Sequence, residues 1–238
     1  MTTTTVEFSP AQDLRLAPMP EYLQQAYWWA YIHPRAVWFF EREWMIDAIL
    51  LGNYRRLGDA ALAAFDAPLC GNTLQMACVY GNLTPRLRAR LAPDARLDVV
   101  DVLPIQLRNL ARKLPPDPRV GLHLGNTAQL RCPDRSYDQV LLFFLLHEQP
   151  EHVRRATVAQ ALRVVKPGGR IVIVDYHEPA PWHPFKFFMR QVLRHLEPFA
   201  LDLWSTPLEA YFPDRSPVRR VQRTLYFGRL YQRIIVQC

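Results

Sequence analysis

From Gly71 onward the chain alternates short apolar strand patterns with amphipathic helix patterns, and that order leaves few folds open. Residues 74–79, 96–102, 120–124, 138–145 and 170–175 read as strands. Helical patterns over 86–91, 104–113 and 151–165 separate them, which implies parallel βαβ units. The 138–145 segment is nearly all apolar, as a strand covered on both faces should be. Thr84 followed by Pro85 predicts an N-cap with proline at the first helical position. Residues 219–227 and 230–237, around Gly228, read as a closing antiparallel pair. The expectation is an α/β fold with a mostly parallel seven-stranded sheet and helices on both faces.

The expected organisation is a flexible tail over 1–20 and one α/β domain over 21–238. Within that domain, 21–66 is an aromatic helical cap, 71–177 a nucleotide-binding core, 182–213 helices on the substrate side and 219–237 the closing hairpin. Tyr27, Trp28, Trp29, Tyr31, Trp38 and Trp44 crowd the cap, and Trp182 opens the later helical segment. Both segments carry cations among the aromatics, including Arg35, Arg42, Lys186, Arg190 and Arg194. Core packing accounts for most such aromatics, but this mixture also suits a membrane surface or the cap of an apolar pocket. The formal charge of +7 is carried mostly by arginine; arginine-rich composition explains much of it, and no nucleic-acid partner is expected. Cys70, Cys78, Cys132 and Cys238 are scattered. With no secretory pattern at the start, a cytoplasmic protein with reduced thiols is expected. The longest apolar run, 140–146, is far short of the roughly 20 residues of a spanning helix.

The turn after the first strand carries the chemistry. A nucleotide-binding α/β domain normally places an acid there, then alternating glycines that let backbone approach the ligand. Here the acid is Gln75, the first two glycines are Ala77 and Val79, and only Gly81 remains, with Tyr80 beside it. Asp101 ends the second strand where a carboxylate can accept both ribose hydroxyls of an adenosine, with Val102 next to it. Asn126 and Thr127 follow the third strand at the adenine position, and Phe144 stands near the end of the fourth. His147 and Glu148 close that fourth strand, while Asp175 and His177 close the fifth on the same sheet edge. Each is a candidate base or hard-metal ligand.

The run Leu162-Arg163-Val164-Val165-Lys166-Pro167-Gly168-Gly169-Arg170, with Asp101, Tyr137 and Asp138, is similar to class I S-adenosylmethionine (SAM) methyltransferases, especially quinone C-methyltransferases. The stretches Tyr27–Pro34, Phe40–Trp44 and Ala77–Asn82 resemble the RquA family of rhodoquinone biosynthesis proteins over nearly the whole chain. That resemblance implies a Rossmann-like fold and a SAM-dependent ubiquinone aminotransferase. SAM is then the amino donor, a ring methoxy group is replaced, and a divalent metal, manganese, is involved. It implies peripheral association with the inner face of the membrane. Candidate bases are His147, Tyr80 and His177; candidate metal ligands are His147, Glu148, Asp175 and His177. Candidate quinone contacts are Tyr27, Trp28, Tyr31, His33 and Trp182. Neutral Gln75 then removes a charge that would hold the donor amine protonated. An ordinary quinone methyltransferase and a non-catalytic quinone-binding protein are the alternatives.

Overall fold

The computed structural model describes residues 20–26, 39–214 and 216–238. Tyr27, Trp28, Tyr31 and His33, and nearly all of the expected tail, lie outside the described residues. Helices α1 (Glu21–Ala26), α2 (Glu43–Ile49) and α3 (Tyr54–Leu62) precede the sheet. The strands are β1 (Asn72–Met76), β2 (Arg96–Asp101), β3 (Val120–Leu124), β4 (Tyr137–Phe143), β5 (Val165–Tyr176), β6 (Arg220–Tyr226) and β7 (Tyr231–Gln237). Helices α4 (Leu83–Arg88), α5 (Pro104–Lys113) and α6 (Glu151–Val164) form the crossovers, and α7 (Lys186–Leu196) and α8 (Asp202–Ser205) follow β5.

The seven strands lie in the order β3-β2-β1-β4-β5-β7-β6. Only β7 runs against the rest, pairing antiparallel with both β5 and β6. The chain leaves β1 toward β2 and β3, then returns to place β4 on the other side of β1. That reversal leaves a crevice at the carboxyl ends of β1 and β4, where open α/β sheets bind ligands.

Strand geometry sorts the apolar residues into two cores. Leu141, Phe143, Val172 and Val174 face one side with Tyr54, Leu57, Leu83 and Leu87. Val140, Leu142, Ile171 and Ile173 face the other with Val158, Ala161 and Leu162. Each central strand is therefore apolar at nearly every position, as its sequence requires.

Several local expectations need correction: β1 spans Asn72–Met76 and not 74–79, and α4 spans Leu83–Arg88 and not 86–91. Thr84 is not an N-cap: it lies inside α4, fully buried, and its hydroxyl donates to Gln75 Oε1 at 2.9 Å. β5 does not start at Arg170 but at Val165, paired with Tyr137. The register then shifts before Gln139 pairs with Arg170, so Lys166-Pro167-Gly168-Gly169 forms a bulge within the strand.

Arg154 of α6 has no exposed surface. Its guanidinium donates to the carbonyls of Leu146 and Gln149 at 2.8 Å each, to Phe199 O at 2.9 Å and to Tyr211 Oη at 2.8 Å. The turn after β4 and the segment following α7 are thus joined by one side chain. Arg154→Ala leaves those acceptors buried without a donor and should cost about 3 kcal/mol or more of stability. Urea denaturation measures it; a loss under about 1 kcal/mol would show the acceptors find other partners.

Candidate functional site

At the crevice a cavity of about 450 Å³ opens between the sheet edge, α2 and α7. Among the sequence-predicted residues its walls include Ala77, Tyr80, Asp101, Val102, Asn126, Thr127, Phe144, His147 and Glu148. One end is polar and meets the β1 and β2 turns. Apolar side chains from α2 and α7 complete the lining, among them Ile46, Ile49, Phe188, Met189, Val192 and Leu193.

The loop after β1 is tied from below. Gln75 is fully buried and outside the cavity lining. Its amide donates to Ala77 O at 3.0 Å and accepts from Thr84. The residue in the acid position therefore braces the loop, and the charge it withholds is not at the cavity wall. Ala77 takes φ +72°, a left-handed conformation that a side chain adopts only under constraint. Gly81 (φ +77°) persists for a steric reason: a Cβ there would sit 2.5 Å from Tyr54 Oη. That phenol donates to Tyr80 O at 3.1 Å and accepts from Asn82 N at 2.9 Å.

The loop is also clamped from the cap. Glu41 Oε1 accepts from Gly81 N at 3.1 Å and from Lys113 Nζ at 2.6 Å, and Oε2 from Asn109 at 2.5 Å. Lys113 in turn donates to Gly81 O at 2.9 Å. Tyr80 points into the cavity, accepts from Gln106 Nε2 at 2.8 Å and stacks on Phe40 with centroids 6.2 Å apart. Burial pushes its phenol pKa far up, so Tyr80 is a neutral hydroxyl rather than a base.

Asp101 is nearly buried, with Oδ2 accepting from Cys78 N at 2.7 Å and Oδ1 from Leu103 N at 2.8 Å. Burial raises its pKa to about 6, against the pull of those backbone donors. The carboxylate has lone pairs left for two hydroxyl donors. Asn126 Oδ1 accepts from Ala128 N at 2.9 Å, so part of its capacity goes to its own turn.

His147 forms the polar wall opposite. Its Nδ1 lies 2.9 Å from Asp175 Oδ1, an ion-pair separation without hydrogen-bond alignment. Nε2 is 3.9 Å from Glu148 Oε1 and 4.0 Å from Glu197 Oε2. Burial opposes charge on the ring, but the Asp175, Glu197 and Glu148 carboxylates outweigh it and raise the pKa to about 9. Asp175, fully buried, also accepts from the backbone N–H groups of Leu146, His147 and Tyr176.

The other predicted residues fall elsewhere. His177 is outside the cavity lining; its Nδ1 lies 2.8 Å from Glu178 O and 3.0 Å from Arg229 O, and burial lowers its pKa. Trp182 is 76% exposed and also outside the lining. Among the described residues no group of three His, Cys, Asp or Glu side chains is arranged to hold a metal ion. The expected manganese ligands His147, Glu148, Asp175 and His177 do not form such a set. His177 sits apart, and Asp175 is committed to three backbone donors and His147. Sequence reasoning missed Glu41, Tyr54, Gln106 and Glu197. Glu41 lies in the 40–44 stretch that carries the family resemblance; nothing local marks the other three.

Residues 73–169 match the family described as a methyltransferase domain. The sheet order, the crevice and this match define a class I SAM methyltransferase fold. The chain is 31% identical over 109 residues to a demethylmenaquinone methyltransferase of Symbiobacterium thermophilum, covering 44% of the chain and 43% of that protein. It is 31% identical over 121 residues to a 2-methyl-6-phytyl-1,4-hydroquinone methyltransferase of Synechocystis, covering 49% and 36%. The matched stretch thus spans less than half the length of either relative. Among solved structures, human N-acetylserotonin methyltransferase with SAM aligns at TM-score 0.59 and 15% identity, over 91% of this chain and 61% of that one. The N-methyltransferase NodS of Bradyrhizobium japonicum with S-adenosyl-L-homocysteine aligns at 0.53 and 14%, over 77% and 86%. Both show the fold.

Asp101 generates the test of this site. Asp101→Ala should cost roughly 2–3 kcal/mol of SAM affinity by calorimetry, since charge-assisted bonds to two hydroxyls are lost. The ionised carboxylate is the acceptor, so parental affinity should climb as pH rises through about 6 and then level off. Asp101→Asn should remove that step; a step that survives would place the titration elsewhere.

Proposed function

We propose that the protein transfers a group from SAM to the ring of a lipid quinone. We further propose that the group is the amino nitrogen, converting ubiquinone to rhodoquinone by replacing a ring methoxy group. The methyltransferase fold and the quinone methyltransferases among its relatives support the first part. In this reading the adenosine lies along Asp101, Val102, Asn126 and Thr127. The methionine end lies against Ala77 and Tyr80, and the ring lies against the apolar side chains of α2 and α7.

The observation behind the amino-transfer reading is His147 on the cavity wall with its Nδ1 2.9 Å from Asp175 and with Glu148 and Glu197 nearby, carboxylates that raise its pKa to about 9. Addition of an amine to the quinone carbon bearing methoxy puts negative charge on a ring oxygen. A buried imidazolium can hydrogen-bond that oxygen or protonate it. Methanol then leaves. Removal of the donor α-proton passes two electrons into the quinone ring and leaves a nitrogen–carbon double bond. Water hydrolyses that bond to the ring amine, now at the hydroquinone level, and the 2-oxo acid of the donor skeleton. Glu148 and Glu197, both on the cavity wall, supply carboxylates for the donor α-proton, a role that neither neutral Tyr80 nor remote His177 fits. No step is routed through a metal, because the donor set does not fit one.

Methyl transfer is the second reading, favoured by the curated relatives. It requires a base to take a hydroquinone proton, and Glu148 or Glu197 would then have that role. The deciding assay combines purified protein, a short-tailed ubiquinone and SAM labelled separately in its amine nitrogen and its methyl carbon, with mass analysis of the quinone. Nitrogen label is the expected outcome; methyl label alone would establish methylation. His147→Gln should slow nitrogen transfer roughly 10²–10⁴-fold, as loss of a general acid does. The parental rate should fall as pH rises through about 9, where His147 loses its proton. A flat profile there would remove His147 as the acid.

A further inference from the structure

Gln149 is a polar side chain of the cavity wall with no part in the chemistry or in bracing the cofactor turn. It follows the turn after β4, is 1% exposed and lines the cavity. Its backbone is fixed, with N–H donating to Leu146 O at 3.3 Å and the carbonyl accepting from Arg154 at 2.8 Å. Its side chain is half satisfied. Nε2 lies 3.5 Å from Thr127 Oγ1, while among the described residues Oε1 accepts no hydrogen bond. A buried acceptor without a donor is rare in a folded protein, and in a cavity wall it marks where a ligand's donor belongs.

The surroundings of this amide say which donor. Thr127 follows β3, where the adenine of SAM lies in the proposed reading, and Gln149 reaches it across 22 positions of the chain. Asn126, beside Thr127, spends part of its Oδ1 capacity on Ala128 N at 2.9 Å. Tyr22 of α1 lines the cavity as well. Burial and the Glu148 carboxylate raise its phenol pKa while the Gln149 amide pulls the other way, so a neutral hydroxyl stands beside that amide. Tyr22, Thr127 and Gln149 thus form an uncharged patch whose open position is the Oε1 acceptor. A planar carboxamide presents an acceptor and a donor side by side. Adenine presents the complement, an exocyclic amine next to a ring nitrogen.

We propose that Gln149 reads the adenine edge of the cofactor: Oε1 accepts from the exocyclic amine, and the Nε2 proton not directed at Thr127 donates to the adjoining ring nitrogen. Gln149 is then a specificity residue for the base and takes no part in group transfer. The assignment rests on SAM as the donor and not on which of its groups moves. A 6-oxo base in the same place sets oxygen against Oε1 and a ring N–H against Nε2, and the Thr127 contact opposes rotation of the amide. Sites built to bond a polar group discriminate strongly against an analogue that lacks or inverts it.

The test is calorimetry of the whole chain with S-adenosyl-L-homocysteine and with its deaminated counterpart, S-inosyl-L-homocysteine. Parental protein should bind the adenine form roughly tenfold or more tighter. Gln149→Met keeps the length of the side chain without its polar atoms and should bring the two affinities within roughly twofold of each other. Gln149→Glu keeps an acceptor in the same place and should retain the preference for adenine. Equal binding of both nucleosides by the parental protein would leave Oε1 to a water molecule and overturn the assignment. A Gln149→Met protein that weakens toward both equally, with the preference intact, would make Gln149 structural and also overturn it. A preference kept in Gln149→Met and lost in Asn126→Ala would return the amine to Asn126 with the same consequence. These measurements involve no quinone and no transfer. Tight binding without base preference therefore defeats this assignment alone, whereas absence of binding by either nucleoside defeats the SAM reading with it.

Discussion

The site depends on a buried guanidinium. Arg154 sits beneath the turn that carries His147, Glu148 and Gln149, and it holds the segment around Phe199 and Tyr211 to that turn. Burying a charge is costly unless its donors are matched, and here four oxygens take them. The turn leaves β4 through Phe144 at φ +51° and is capped by the carboxylate of Asp175 from β5. A buried cation and a buried anion, one on each side, fix where the imidazole can stand. Glu197, at the end of α7, completes the ring of charges only because the following segment is pinned by the same arginine.

The cofactor turn shows how a loop with few glycines can keep its shape. Backbone freedom is reduced at Ala77, Val79 and Tyr80, and the strain at Ala77 is held by neighbours. Gln75 and Thr84 brace it from within the sheet, while Tyr54, Glu41 and Lys113 grip it from the cap and α5. Residues that precede the sheet therefore help to hold the candidate cofactor turn. Gly81 survives because Tyr54 occupies the space a side chain would need.

Chemically, the cavity sets His147 among three carboxylates at a wall whose neighbours on α2 and α7 are apolar. Low polarity strengthens every interaction the cation makes, and three carboxylates keep it charged despite burial. In the proposed reaction the charged ring would donate to an oxygen of the substrate through Nε2.

Much of the framework was legible in the order of the residues, because strand and helix periodicities are local and burial on two faces demands unbroken apolar runs. The 120–124 strand, the 104–113 helix and the closing hairpin appear where their patterns place them, within a residue at the hairpin ends. Asp101, Asn126, Thr127 and His147 line the cavity because they stand at or just after strand ends that the topology brings to one edge. What local pattern could not supply was contact between distant segments. Thr84 reads as a cap until the fold sets it against Gln75, and Gln75 reads as a ligand contact until its amide is seen bracing the loop. Glu41 reaches Gly81 across 40 positions, and Glu197 meets His147 only once α7 is laid over the crevice. Asp175 lies within β5, whereas His177 follows the last residue of that strand and turns its ring to the carbonyls of Glu178 and Arg229 instead of the site. Sequence determined the elements and the edge on which the site lies; tertiary packing decided which side chains meet there and what charge they carry.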